Sequence, residues 1–179
     1  MLLAVALWAF AEATLFFIVA DVPIMAIGIR FGVRRAVGAA LIAALAAAFG
    51  GLVTMAWAAA APEQSRAAIE SLPGIGPEMF EQAASAWREG GAWAMLQGSF
   101  RGEPYKLYAH AAGVGGAGMV GFFLASLLAR LPRFMLVALA GGLAGPTLRR
   151  WLPGRWLWIV FGLAWAAFYV WYFSTMAAG

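Results

Sequence analysis

The sequence predicts an all-α integral membrane bundle, on three observations. Of its 179 residues, 64% are hydrophobic and only 11% are charged. That much apolar surface cannot be hidden in one small soluble core. Two runs, residues 36–61 and 156–176, pass without a charge, and each is long enough to cross a bilayer. Nine Trp complete the picture, since Trp gathers where membrane meets water. The length allows a single membrane domain over residues 1–179. With no cysteine, disulfides, thiolate metal sites and cysteine nucleophiles are excluded. A lone histidine, His110, cannot build a histidine metal cluster, so neither metal nor cofactor is expected. The net charge of +4 is spread along apolar runs, which is no footprint for nucleic acid.

The elements follow in chain order. The first 20 residues lack the basic start of a signal peptide and are interrupted by Glu12, so they read as part of the mature fold. Residues 1–29 are too short for two spans, and Glu12, Asp21 and Pro23 spoil a single one. A hairpin that enters the membrane and returns on the same side fits them. Its tip is expected at Asp21-Val22-Pro23, because Pro removes a donor and disfavours helix before it. Arg30, Arg34 and Arg35 then precede the span at 36–61, which closes a first repeat over residues 1–61. Residues 62–90 are polar and acidic, carrying Glu63, Glu70, Glu78, Glu81 and Glu89 against Arg66 and Arg88. Leu72-Pro73-Gly74 splits them into two short helices. The second runs from Pro77 to Gly90, a normal pair of boundary residues, and its apolar spacing suits a cap or a membrane surface.

Residues 91–148 form a second repeat. A second re-entrant hairpin is expected, broken around Gly102 and Pro104, because Arg101, Glu103, Lys106 and His110 exclude a lipid-facing span. The apolar run after Gly113 carries Arg130 and Arg133 around Pro132. One long kinked helix and two short spans compete here. The single helix puts Arg149, Arg150 and Arg155 on the same side as Arg30, Arg34 and Arg35, with the acidic insert opposite, and so obeys the positive-inside rule. Residues 156–176 form the last span. Both halves thus run broken hairpin, glycine junction, long helix, with Gly28 and Gly113 at matching points. Inverted repeats with discontinuous helices mark secondary transporters, whose sites form where the breaks meet.

Eight charged or titratable groups lie at depth: Glu12, Asp21, Arg101, Glu103, Lys106, His110, Arg130 and Arg133. An ion at the bilayer centre costs about 2.5–3.5 kcal/mol on insertion scales, so these groups must share partners or water. They could form structural ion pairs. They could also line a polar cavity, where surplus bases await an anion and carboxylates removed from water take up protons more readily. Other motifs carry less. Residues 113–118 match a dinucleotide fingerprint but lack the strand and the acid that it needs. Small residues there, as at Gly28/Gly32 and Gly141/Gly145, suit close helix approach. Ser99 with His110 lacks a nucleophile elbow. The aromatics Trp165, Phe168, Tyr169, Trp171 and Tyr172 read as a lipid-facing anchor, and His110 as a hydrogen-bonded packing residue.

Three segments carry a family resemblance: residues 12–22, from Glu12 to Val22; Gly102-Glu-Pro-Tyr-Lys106; and residues 122–134, ending Ala129-Arg130-Leu-Pro-Arg133-Phe134. In this order they resemble the DedA superfamily, closest to its small YqaA-type branch, also described as SNARE-associated or VTT-domain proteins. The likeness covers residues 5–148. It implies two facing re-entrant hairpins with acids in the first and bases in the second. Glu12 and Asp21 match the acidic pair, Arg101 the leading arginine, and Pro104 the proline. The second base is here Lys106, at slightly different spacing. The resemblance implies a multi-pass protein of the bacterial inner membrane concerned with lipid transport and proton-linked homeostasis.

The expected function is therefore a transporter or flippase for an anionic lipid headgroup, polyprenyl phosphate or phospholipid. Arg101, Lys106, Arg130 and Arg133 would bind phosphate. Glu12 and Asp21 would carry a coupling proton or hold the arginines between turnovers. Expected partners are membrane lipids, the phosphate-bearing substrate, protons and a second copy of the chain, and no nucleic acid. The alternative is a scaffold whose charges only fix packing. No nucleophile or metal set suggests an enzyme.

Overall fold

The computed structural model describes residues 1–152 and 154–177. All regular structure among them is helical, in eight helices. The first two are short: α1 (Leu2–Thr14) and α2 (Asp21–Phe31). The long α3 (Val33–Ala60) follows, then α4 (Pro62–Glu70), α5 (Pro77–Arg101), α6 (Tyr105–Val114), the long α7 (Met119–Trp151) and α8 (Arg155–Ala177). Helices α3, α7 and α8 are long and apolar enough to cross a membrane. The expected spans at 36–61 and 156–176 coincide with α3 and α8. The run around Arg130 and Arg133 is one helix, continuous through Pro132 and Pro146. A proline inside a helix removes one ladder hydrogen bond, and neighbouring helices supply the packing that tolerates it.

Small side chains set the packing. On α3, Ala36, Ala39, Ala40, Ala43, Ala44, Ala47 and Ala48 are all buried. Helices of this kind approach until their backbones nearly touch. A Cβ on Gly28 would lie 2.7 Å from the backbone nitrogen of Gly142, and one on Gly141 would lie 2.8 Å from the Met25 carbonyl. On the other side, a Cβ on Gly113 would lie 2.2 Å from the Met55 carbonyl. Gly28 and Gly141 are thus points of close approach, as their spacing suggests. Gly32 is not: nothing lies near it, and its φ of 84° serves the turn between α2 and α3, a conformation that glycine adopts freely.

The same contacts orient the helices. Phe10 lies against Gly50 and Ala13 against Thr54, so α1 runs in the direction of α3. Met25 meets Gly141 and Ile29 meets Gly145, so α2 runs in the direction of α7. Trp87 packs on Phe122 and Ser99 bonds Arg133, so α5 also follows α7. Tyr105 meets Gly51 and Gly113 meets Met55, so α6 follows α3. Val33 lies at Gly142 and Phe49 at Phe123, which makes α3 and α7 antiparallel. The Arg149 guanidinium donates to the Ile29 carbonyl. Arg149 and Arg150 therefore lie at the same end of the bundle as Arg30, Arg34 and Arg35.

One boundary differs from expectation. The first break is Leu15–Ala20, ahead of Asp21; Asp21 opens α2, and Pro23 sits in the first turn of that helix. A proline costs little there, because the first N–H groups of a helix have no partner to lose. The insert helix from Pro77 gives way at Gly90–Gly91, as expected: Gly91, with φ 49° and ψ −124°, is not helical, and α5 runs on beyond this kink to Arg101. The insert caps the bundle: Phe80 and Ala83 cluster with Ile69 and Leu107. Glu70 and Glu81 bind the Arg66 guanidinium at 2.8 and 3.3 Å; the Glu70 bond, above all, raises its hold on its proton. The second break falls at Gly102 to Pro104, as expected.

Candidate functional site

The two breaks meet. Phe16 and Val19 from the first, and Gly102, Glu103 and Pro104 from the second, line one cavity of about 80 Å³. Glu12, Lys106, Arg130 and Arg133 face the same space. A direct bond joins the breaks: the Lys106 ammonium donates to the Phe16 carbonyl at 2.8 Å. That carbonyl is free to accept because the α1 ladder has ended at Thr14.

Four of the charges form two cross-braces. Arg130 pairs with Glu12, joining α7 to α1, and both side chains are almost wholly buried. Its guanidinium lies over the rings of Tyr105 and Phe134, 4.7 and 5.0 Å from their centroids. Cation–π contact of this kind strengthens when water is excluded. Arg133 pairs with Asp21, joining α7 to α2, with one bond from its Nε at 2.9 Å. Its Nη1 also donates to the Ser99 carbonyl at 2.6 Å. Arg133 thus ties α7 to the second hairpin as well. Three residues separate the two arginines, which puts them on one face of α7. Asp21 Oδ1 and Arg130 Nε, both buried, make no hydrogen bond.

Lys106 differs from the arginines. It is 3% exposed, and its ammonium has no carboxylate within 4 Å among the described residues. Its hydrogen bond is to the Phe16 carbonyl. Arg101 stands apart. Its side chain is 64% exposed, 3.7 Å from Glu103, and it does not line the cavity. It is the last residue of α5, so the backbone beside it offers unpaired carbonyls rather than N–H donors. Pro104, by contrast, directly precedes α6 and so sits where that helix's free N–H groups begin.

Several contributors carry no signal of their own in the sequence. Tyr105 is buried under Arg130 and donates to the Ser126 hydroxyl at 2.6 Å, which in turn donates to the Phe122 carbonyl. Gly51 makes room for it: a Cβ there would lie 2.0 Å from the Tyr105 hydroxyl. The Tyr108 hydroxyl donates to Glu103, and the Trp8 indole donates to the Ile18 carbonyl at 3.0 Å across the first break. Only the position of Tyr105, beside Lys106 and one residue past Pro104, could have singled it out. His110 packs edge-on against Phe80 and lies 3.2 Å from the Pro62 carbonyl. The aromatics of α8 are not all lipid-facing. Phe168, Tyr169 and Tyr172 line the cavity, while Trp171 is exposed.

No group of metal-binding residues occurs among the described residues. No protein-family model matches the chain, and no curated protein or solved structure does either.

Proposed function

We propose that this protein is a membrane transporter or flippase-like protein for an anionic lipid headgroup, a polyprenyl phosphate or a phospholipid, with Glu12 and Asp21 carrying a coupling proton. One observation carries the reading: Lys106 brings a buried ammonium, with no carboxylate within 4 Å among the described residues, into a cavity where two helix breaks meet. A buried cation is costly without a partner. A phosphate would supply the missing charge, and Arg133 at the same cavity would add a planar fork suited to it. The directions of the short helices support two re-entrant hairpins in an inverted repeat. α1 follows its own long helix α3 and α2 follows α7; α5 follows its own long helix α7 and α6 follows α3. Sites of discontinuous-helix transporters form at such a meeting of breaks. The resemblance to the DedA superfamily, with its bacterial inner-membrane setting, points the same way.

In this reading the two ion pairs are the resting state. A proton taken up by Asp21 frees Arg133 for phosphate, and proton loss restores the brace. Glu12 and Arg130 act in the same way deeper in the site. Arg101, at the exposed end of α5, would meet the headgroup on its way in. The test is Lys106→Gln in vesicles loaded with a fluorescent phosphate-bearing lipid. Loss of lipid movement, with the melting temperature kept, supports the site. Unchanged movement sinks it.

The braces themselves favour a second reading, a scaffold in which Glu12–Arg130 and Asp21–Arg133 only hold the hairpins to α7. Asp21→Asn separates the two. A scaffold loses stability and function together. A coupled transporter that still folds keeps lipid binding and loses its dependence on a proton gradient.

A further inference from the structure

Helix α8 is held differently from the rest of the bundle. Its apolar stretch is 6% buried, against 50% for α3 and 39% for α7. It follows α7 after a short link in which Gly154 has a φ of 62°. Yet it closes the cavity. Tyr169, Tyr172 and Phe173 recur at a spacing that puts them on one face, and all three line the site. Two of them reach main chain at the breaks. The Val19 N–H donates to the Tyr169 hydroxyl at 2.8 Å, and the Tyr172 hydroxyl donates to the Gly102 carbonyl at 3.2 Å. One helix, with little packing of its own, is thus fastened to both breaks by two phenols.

Val19 lies in the first break, one residue before Ala20, which caps α2. Outside both helices its N–H has no ladder partner, and a backbone donor removed from water needs one. Tyr169 supplies this one with an oxygen. Tyr169, Arg133 and Lys106 line the same cavity. A displaced α8 would leave that N–H without a partner, and it would open the site on the side where α8 packs on little else.

We infer that α8 is a lateral latch: its displacement opens the site sideways to the bilayer, and the phosphate of a membrane lipid replaces the Tyr169 hydroxyl on the Val19 N–H. This rests on the reading of the site as a phosphate-lipid site and adds its route of entry and its resting occupant. Dissolved phosphate could displace the same hydroxyl, but it brings no acyl chains to hold α8 aside.

The chain has no native cysteine, so Met25→Cys with Ala164→Cys gives a clean pair. Both positions line a groove between α2 and α8 outside the phosphate cavity. Spin labels at the pair, in phosphatidylcholine vesicles, report the gap. Phosphatidic acid in the vesicle should broaden the distance distribution, and inorganic phosphate should not. A bifunctional thiol reagent across the same pair should stop lipid movement that the unlinked pair supports. Tyr169→Phe, which keeps the ring and loses the hydroxyl, should raise the open fraction about fivefold, the factor that one ordinary hydrogen bond is worth. A distance that lipid leaves unchanged, with linked protein moving lipid at the unlinked rate, overturns the latch. Equal broadening by inorganic phosphate overturns the lateral route. Broadening by lipid in a protein that moves none leaves the latch standing and defeats transport instead.

Discussion

At the scale of single residues, two partners of opposite charge decide the stability of the site. Glu12 and Arg130 are both buried, so removing one strands the other. Glu12→Gln is expected to cost about 3–5 kcal/mol, the usual penalty for half of a buried pair. Glu12→Gln with Arg130→Met should recover most of that loss, because neither charge then lacks a partner. Thermal unfolding in detergent measures both. Arg101 makes the opposite case. Its exposed contact with Glu103 is worth about 0–1 kcal/mol at most, so Arg101→Ala should leave the melting temperature nearly unchanged. Its effect on binding of phosphatidic acid should be smaller than that of Lys106→Gln; an equal or larger loss would place Arg101 in the site. The list of candidate residues was readable because ions in apolar sequence stand out. Their pairing was not. Glu12 and Arg130 are 118 positions apart, and nothing local says which arginine meets which acid. The sequence offers Arg101, Lys106, Arg130 and Arg133 alike for phosphate, and the fold brings Arg130 and Arg133 to the acids and leaves Arg101 outside the cavity.

At the scale of elements, the long helices were legible because length and hydropathy are local properties. The breaks were half legible. Gly102 and Pro104 mark the second break by composition. The first break, Leu15–Ala20, contains no glycine or proline, so the nearby Pro23 drew the tip to the wrong place. Helix α8 looked like a plain anchor, since which face of an aromatic helix turns inward depends on tertiary contacts. The junction of α2 and α7 yields a sharp prediction. Gly28→Val places a branched side chain where the backbone of Gly141 and Gly142 already lies. Overpacking costs about 1–3 kcal/mol and sometimes more. The melting temperature should fall, and it should fall further than for Gly121→Val, where a Cβ meets nothing within 4 Å.

At the scale of the molecule, the charges sort to two ends. Arg149 bonds the carbonyl of Ile29, so the arginines before α3 and those ending α7 share one end. The insert, with Glu63, Glu70 and Glu78, caps α6 at the opposite end of α3. The positive-inside rule then predicts that the arginine end faces the cytoplasm. Single cysteines at Glu78 and at Arg149 should react with an impermeant thiol reagent from opposite sides of a sealed vesicle, with Glu78→Cys labelling from outside. Labelling of both from the same side would refute this orientation.

The crossing of Gly28 and Gly141 has a consequence for variation. Two backbones touch there with no side chain between them, so no compensating change in a neighbour can make room. In a saturation mutagenesis library selected for function, these two columns should admit glycine and almost nothing else, while exposed Leu143 on the same helix accepts most apolar letters. Tolerance to mutation along α7 should therefore rise and fall with the helical period, deepest where it meets α2.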